Sequence, residues 1–399
     1  MTTPAEAAAA IRSHIAPLPT ETATLNALPS AILREPVTAS RDQPPFDRVT
    51  MDGIAIASSE FAAGRRQFRI AGTQAAGAQR MVLANTDACF EAMTGAVVPQ
   101  GCDCVIPVER LMIEDGTATV PDDFPASAGL NIHPRGIDCR AGDTLIEAGT
   151  RIGAPELAVI ASNGLTRAVI SRRPRIMVIS TGNELVEPGA PVSDWQIYRS
   201  NVYGVLTGLQ RRGYAELAHD HMPDDLDTMR TRLRSHLETH DVLILSGGVS
   251  MGRFDYVPRA LGELGVNMVF HKIEQRPGRP MWFGVGANGR MVYALPGNPV
   301  STLICLSRYV FDGLDAAMGA TPRAVERVAL ASDVDVKPSL TLFMPVRLND
   351  GSDTGVRAEP RPTKGSGDFT SLIGTDGFVE LSPGPRVVAA GTVVPFYRW

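Results

Sequence analysis

The alternation of apolar and polar positions changes character along the chain, and each change predicts a different layer of structure. Residues 1–46 mix alanine-rich helical stretches with proline breaks. From PPFDRVTMDGIAI (44–56) onward the runs become short and extended: GRRQFRIAG (64–72), DACFEAMTGAVVP (87–99) and DCVIPVERLMIEDGTATV (103–120) are brief alternating segments punctuated by glycine. Alternation closed by turn residues is the mark of half-buried strands, so residues 47–132 are expected to form a small β-module. A helix is expected over Pro155–Asn163, with proline in its first turn and Gly164 just beyond its end. That segment would rejoin the N-terminal one, making the β-module an insertion into a discontinuous domain of residues 1–46 and 133–173.

The rhythm changes again over residues 174–320. RIMVIST (175–181), YAELAHDHM (214–222) and DVLILSGG (241–248) are apolar strand runs. Helical runs alternate with them: SNVYGVLTGLQRRG (200–213), LDTMRTRLRSHLETH (226–240) and FDYVPRALGELG (254–265). Strands and helices alternating at this length predict a doubly wound, largely parallel α/β sheet with helices on both faces. After the helix NPVSTLICLSRYVFDGLDAAMG (298–319), residues 321–399 read as a C-terminal β-domain. The fold class expected is therefore multi-domain α/β plus β.

Composition narrows the functions. Against 38 basic residues stand 43 acidic ones, a formal charge of -5 that offers no footprint for nucleic acid. The chain contains no apolar run long enough to cross a membrane. The N-terminal stretch has no cationic segment ahead of an apolar one, so a cytoplasmic location is expected. Cys89, Cys102, Cys104, Cys139 and Cys305 are scattered without metal-site spacing and are expected to be reduced and structural. Cys102 and Cys104 would point to one side if their segment is extended.

Open α/β sheets bind ligands beyond the carboxyl ends of their strands, and the unusual residues of this chain fall there. Ser246-Gly247-Gly248-Val249-Ser250-Met251-Gly252 joins a buried strand to a helix, so its amides can hold a phosphate without a cationic side chain; a bare tight turn is the alternative. Glu184, Asp224 and Asp255 follow three strands of the same sheet. Gathered in one crevice, these carboxylates would repel a phosphate unless a hard cation sat among them, with Mg2+ preferred; as single residues each would be a solvated loop acid. HKIEQRPGRP (271–280) places Lys272, Arg276 and Arg279 beside a rigid turn, and LPGNPVS (295–301) brings a second helix start nearby. Together they would form a basic wall opposite the acids, whereas in isolation the basic run reads as a solvated face.

The segments PPFDRVTMDGIAI, MTGAVVPQGCDCVIPVE, HPRGIDCRAGDTLIEAGTRI, VISTGNELVEPG, SGGVSMGRFDYV and ALPGNPVST, in this order and at these separations, closely resemble the MoeA family of molybdopterin molybdenumtransferases and the equivalent domain of gephyrin. The resemblance implies a homodimer whose pterin pocket lies between the α/β domain of one subunit and the β-module of the other, so that Asp52 would face the crevice from the partner chain. It also places Glu184, Asp224 and Asp255 on acidic active-site positions, Lys272 and Arg276 on basic ones, and Thr94 and Ser366 on polar ones. Pro296 and Pro299 match the prolines of the PGNP loop, and Arg135 with Asp138 matches an acidic-basic pair that a structural salt bridge explains equally well. This chain departs from the pattern in carrying Arg276 and Arg279 where lysines are usual, and Pro345 where an arginine is expected. Arg347, two residues on and on the same strand face, is the candidate substitute.

The implied reaction inserts molybdenum from molybdate into adenylyl-molybdopterin and releases AMP with the help of Mg2+; molybdate, itself a dianion, would need a second cationic pocket, for which Lys272, Arg276, Ser366 and Arg347 are the candidates. Substrate binding would involve Thr94, Gly247, Gly248, Ser250, Arg279, Pro296, Pro299, Arg347 and Ser366, with Asp52, Glu184, Asp224, Asp255, Lys272 and Arg276 as catalytic residues. Transient contact with cofactor-synthesis enzymes or apo-molybdoenzymes is a further expectation. Two other readings stay open: the preceding adenylation of the pterin, and a non-catalytic carrier of the finished cofactor.

Overall fold

The structure is a computed structural model, and it describes residues 2–249, 256–337, 339–351, 355–384 and 387–399. The chain forms two compact units, one of Met1–Glu35, Ala148–Leu157 and Thr166–Trp399, the other of Pro36–Glu147 and Ala158–Leu165.

The larger unit is built around a six-stranded sheet. In chain order its elements are β1 (Ile176–Thr181), α1 (Asn201–Arg211), β2 (Leu217–Met222), α2 (Leu226–Thr239), β3 (Val242–Ser246), α3 (Val257–Glu263), β4 (Asn267–His271), β5 (Trp282–Val285), β6 (Met291–Leu295), α4 (Pro299–Cys305) and α5 (Phe311–Ala317). Across the sheet the strands run β2-β1-β3-β6-β5-β4; the first four are parallel, and β5 and β4 extend the sheet as an antiparallel edge. Every residue of β1 and β3 is buried, because helices cover both faces. Strand alternation then sorts the side chains: Ile176, Val178, Val242 and Ile244 pack on one face with α1, α5 and the N-terminal helix Pro4–His14. Met177, Ile179, Leu243 and Leu245 pack on the other with α2 and α3. Fully burying an aliphatic side chain of this size stabilises by about 1.5–3 kcal/mol.

The expected helix over residues 298–319 is present, but a π-helical stretch, Leu306–Val310, interrupts it between α4 and α5. The edge of the sheet opposite the strand carboxyl ends is pinned electrostatically. There Asp241, 3 % exposed in its side chain, accepts from Arg172, Arg175 and Arg290. Burial opposes its ionisation, but the guanidiniums of Arg172 and Arg175 and the Arg175 amide win and hold its carboxyl well below the usual carboxylate range.

The C-terminal part of this unit closes on itself. Strands β7 (Glu326–Leu330), β8 (Thr341–Gly351), β9 (Gly355–Pro360), β10 (Gly377–Leu381) and β11 (Val393–Arg398) follow the order β8-β9-β7-β11-β10, and β10 pairs back onto β8. Closure removes exposed strand edges. The two-residue strand Gln275–Arg276 adds to β8 in parallel and so fixes the basic loop against this domain.

In the smaller unit a six-stranded sheet spans Gly53–Thr119. Its apolar residues form two clusters, one around Ile54, Ile56 and Phe68 and one around Val49, Ala55 and Val105. Cys104 belongs to the first cluster and Cys102 packs against the second. The two thiols therefore do not share a side; the chain enters its strand only at Cys104, after a turn at Gly101 with φ 91°.

Candidate active site

Strands β1 and β3 lie side by side, and the chain leaves them in opposite directions along the sheet, from β1 to β2 at one edge and from β3 to β4 at the other. Such a divergence opens a crevice at the strand ends. Here it is a cavity of about 530 Å3 whose lining includes Thr181, Glu184, Asn201, Asp224, Gly247 and Pro299.

Glycine is required at its floor. Gly247 has φ 104°, and a Cβ there would lie 2.7 Å from Thr181 Oγ1 and 2.9 Å from its carbonyl oxygen. The Gly247 amide donates to Leu295 O, so it is not available to a ligand, while the Gly248 amide has no acceptor among the described residues. At Gly182, with φ 140°, a Cβ would lie 2.5 Å from Glu184 Oε2, which shows how closely that carboxylate folds back over the turn. The same turn is tied from β2, where His221 Nε2 meets Gly182 O at 2.8 Å. Asn183 Oδ1 accepts from the Asp224 amide at 3.1 Å, joining the loops that carry the two acids.

Asn201, the first residue of α1, donates to Ser246 Oγ at 2.8 Å and to Gly297 O at 2.7 Å. Its Oδ1, with Ser180 Oγ and Thr181 Oγ1, is buried without a hydrogen-bond partner among the described residues. Unpaired buried oxygens are costly unless a ligand or cation satisfies them. An oxygen-only set of this kind, joined by the Glu184 and Asp224 carboxylates, has the chemistry a hard divalent ion takes. Among the described residues no three acidic, His or Cys side chains gather closely enough to hold a metal by themselves. Asp255, the third expected acid, and Ser250 lie outside the described residues.

The basic residues line a second hollow, about 860 Å3, sharing Pro280, Pro296 and Asn298 with the first. Arg276, Arg279, Lys337, Ser366 and Pro345 line it. Its loop is bolted from beneath: buried Gln275 donates to Pro277 O at 3.1 Å and accepts from Tyr309, and Cys305 lies under Gly278. A Cβ at Gly278 would lie 2.6 Å from Gln275 Nε2 and 2.8 Å from Cys305 Sγ. Burial pushes the Cys305 thiol up to about 12. Asn298 Nδ2 donates to Ser366 Oγ at 2.7 Å, and the Val300 amide donates to Ser366 O at 3.1 Å, which seats the loop holding Ser366 on the start of α4.

The remaining candidates are placed otherwise. Lys272, with φ 74°, does not line either hollow; its amide donates to Met281 O at 2.9 Å. Arg347 lines a separate depression with Arg361, away from Pro345, so it does not take the place of the missing arginine in the second hollow. Alternation along β8 holds, since Leu342, Met344, Val346 and Leu348 all pack into one cluster and leave Arg347 on the other face with Pro345; but two residues further along the strand, opposite Glu359 of β9, Arg347 lines a different depression. In the smaller unit Asp52 accepts from both the amide and the hydroxyl of Thr94 at 2.7 Å, and these bonds lower its pKa. Arg135 and Asp138 do not pair: Arg135 Nε donates to Asp42, and Asp138 meets His133 Nε2, each at 2.8 Å. Sequence reasoning missed Asn201 and Arg199. The signal for Asn201 was its position at the head of a helix entering from the first strand-end turn; Arg199 is 7 % exposed and paired with Glu187, and nothing in its sequence neighbourhood sets it apart.

Comparison with known proteins covers nearly the whole chain. Residues 2–164 match the MoeA N-terminal region (domain I and II), residues 177–316 a probable molybdopterin binding domain, and residues 327–399 the MoeA C-terminal region (domain IV). A molybdopterin molybdenumtransferase of Synechocystis sp. is 40% identical over 369 residues, 92% of each chain. Another, from Synechococcus elongatus, is 32% identical over 386 residues, covering 95% of this chain and 94% of the relative. The crystal structure of the molybdopterin biosynthesis MoeA protein from Pyrococcus horikosii superposes with a TM-score of 0.79 at 28% identity, covering 100% of this chain and 99% of that one.

Proposed function

The chain belongs to the MoeA family of molybdopterin molybdenumtransferases and is a transferase of molybdenum cofactor biosynthesis, and from that premise we propose that it inserts molybdenum from molybdate into adenylyl-molybdopterin with release of AMP. The observation that carries the site assignment is the crevice at the ends of β1 and β3, where a glycine turn that admits no side chain lies in one cavity with Glu184 and Asp224.

In this proposal the pyrophosphate of the substrate lies along the turn beginning at Gly248, and Asn201 fixes the turn from the opposite side through Ser246 and Gly297. Glu184 and Asp224, with Asp255, would hold Mg2+, which when bound offsets phosphate charge and polarises the phosphoanhydride. Ser180, Thr181 and Asn201 offer it further oxygens, directly or through water. Molybdate, a dianion, would enter the second hollow, where Arg276 and Arg279 present forked donors and Ser366 a hydroxyl. Lys272 and Ser250 complete the set proposed for the anions. Pro296, shared by both hollows, sets the distance between the two substrates.

The family relationship supports the rest of the reading. We infer a cytoplasmic homodimer with a shared active site, to which the partner's Asp52 and the partner's Thr94 contribute, and transient contact with enzymes that supply the pterin or receive the cofactor. For function the chain is divided into residues 1–46 with 133–173, 47–132, 174–320 and 321–399. The test is direct: adenylyl-molybdopterin, molybdate and Mg2+ are incubated with the protein and AMP is measured. Release of AMP is expected, whereas an adenylated pterin that is bound and left intact would favour a carrier. Pterin dithiolate with ATP should give no adenylated product.

A further inference from the structure

A third polar hollow, about 590 Å3, lies at the far end of α1 from the crevice: Asn201 opens the helix in the crevice, and Arg212 follows its last residue into the hollow. A helix of that length spans about 16 Å, so the two sites are distinct. Six arginines line the hollow, Arg12, Arg151, Arg212, Arg308, Arg323 and Arg398. Four are neutralised: Arg12 by Asp312 at 2.6 Å, Arg151 by Asp315 at 2.5 Å, Arg308 by Glu380 at 2.8 Å and Arg398 by Glu326 at 2.9 Å.

Arg212 and Arg323 are not. Neither has a carboxylate in salt-bridge contact among the described residues. The Arg212 guanidinium sits over the Phe311 ring, 3.9 Å from its centroid. Burial lowers its pKa, and Arg151 and Arg323 push the same way against the attraction of Asp315. Arg151 and Arg323 thus both stand close enough to repel Arg212, and the one carboxylate that attracts it, Asp315, is already paired with Arg151. A partly buried cation without a counter-ion is costly, and a surplus of two positive charges facing one hollow calls for a ligand of opposite sign. The hydroxyl-bearing residues Thr150 and Thr321 line the same hollow and add donors.

We propose that this hollow binds a doubly charged tetrahedral oxyanion between Arg212 and Arg323, either free or as the terminal phosphate of a small molecule. Guanidinium forks match such an anion's oxygens, and neutralisation removes the repulsion that the four internal ion pairs leave behind.

Calorimetric titration of the full-length protein in dilute chloride buffer tests this, with inorganic phosphate in one arm and AMP in the other. A site is expected that survives the double change Arg276→Gln and Arg279→Gln, weakens by about tenfold or more in Arg323→Gln, and is lost in Arg323→Glu. Arg323 is exposed, so these variants keep the fold; Arg212→Met, at a more buried position, should weaken the same site. Tighter binding of phosphate assigns a free ion, and tighter binding of AMP a phosphate ester. Absence of binding in both arms, binding unchanged in Arg323→Glu, or binding that disappears with Arg276 and Arg279 alone would overturn the proposal.

Discussion

The two adjoining hollows of the larger unit take opposite approaches to holding an anion. The crevice at β1 and β3 is made mostly of backbone: its floor is set by glycines whose absent Cβ atoms would collide with Thr181 and Glu184, and its charged groups are acids. The hollow beside it is made of side chains, Arg276 and Arg279 on a loop clamped to β8 and to the residues under α4. Backbone geometry leaves little freedom to vary, since any added atom disturbs the fold. Side chain charge can be supplied by lysine or arginine, and from more than one place on the wall, which explains how this chain can carry arginines in the loop and Pro345 on the barrel strand.

That contrast can be broken at several points. The largest effect is expected from the acids: Asp224→Ala or Glu184→Ala should fold normally and lower Mg2+-dependent AMP release by about a hundredfold or more, because each takes away part of the oxygen set that holds the ion. Retained turnover would remove the metal from the crevice. Next, Gly247→Ala should cost about 2–3 kcal/mol in denaturant unfolding, since it combines a left-handed backbone with a contact of 2.7 Å to Thr181 Oγ1. It should also abolish binding of the adenylated pterin.

In the second hollow the changes should be milder and selective. Arg276→Gln or Arg279→Gln should raise the molybdate KM by about tenfold and leave affinity for the adenylated pterin nearly unchanged, whereas Arg347→Gln should leave both as they are. An equal effect of Arg347→Gln would contradict the assignment of that residue to a different depression. The smallest effect concerns the clamp itself. Cys305, buried under Gly278 with its thiol pushed up to about 12, should resist alkylation in the folded protein, and Gly278→Ala should make it reactive.

The strands of the central sheet were legible because RIMVIST and DVLILS are buried on both faces and read as unbroken apolar runs. The sites at their ends followed from the same reasoning, which placed Glu184, Asp224 and the Gly247 turn at neighbouring strand termini, and they do line one cavity. Less was legible where tertiary contacts decide direction. Arg347 does share a strand face with Pro345, as alternation predicts, but one step further along β8 it lines a different depression from the hollow at Pro345. Arg135 found Asp42, far away in sequence, in place of nearby Asp138. A second, cationic pocket for molybdate was expected, and a hollow lined by Arg276 and Ser366 is present; its sharing of Pro280, Pro296 and Asn298 with the crevice is a matter of spatial placement that no spacing along the chain encodes.

The most direct measurement is the structure of the protein crystallised with Mg2+ and adenylyl-molybdopterin. The pyrophosphate is expected against the turn that begins at Gly248, with the metal bound by Glu184 and Asp224. A pyrophosphate seated among Arg276 and Arg279, with Glu184 and Asp224 free of metal, would contradict that placement.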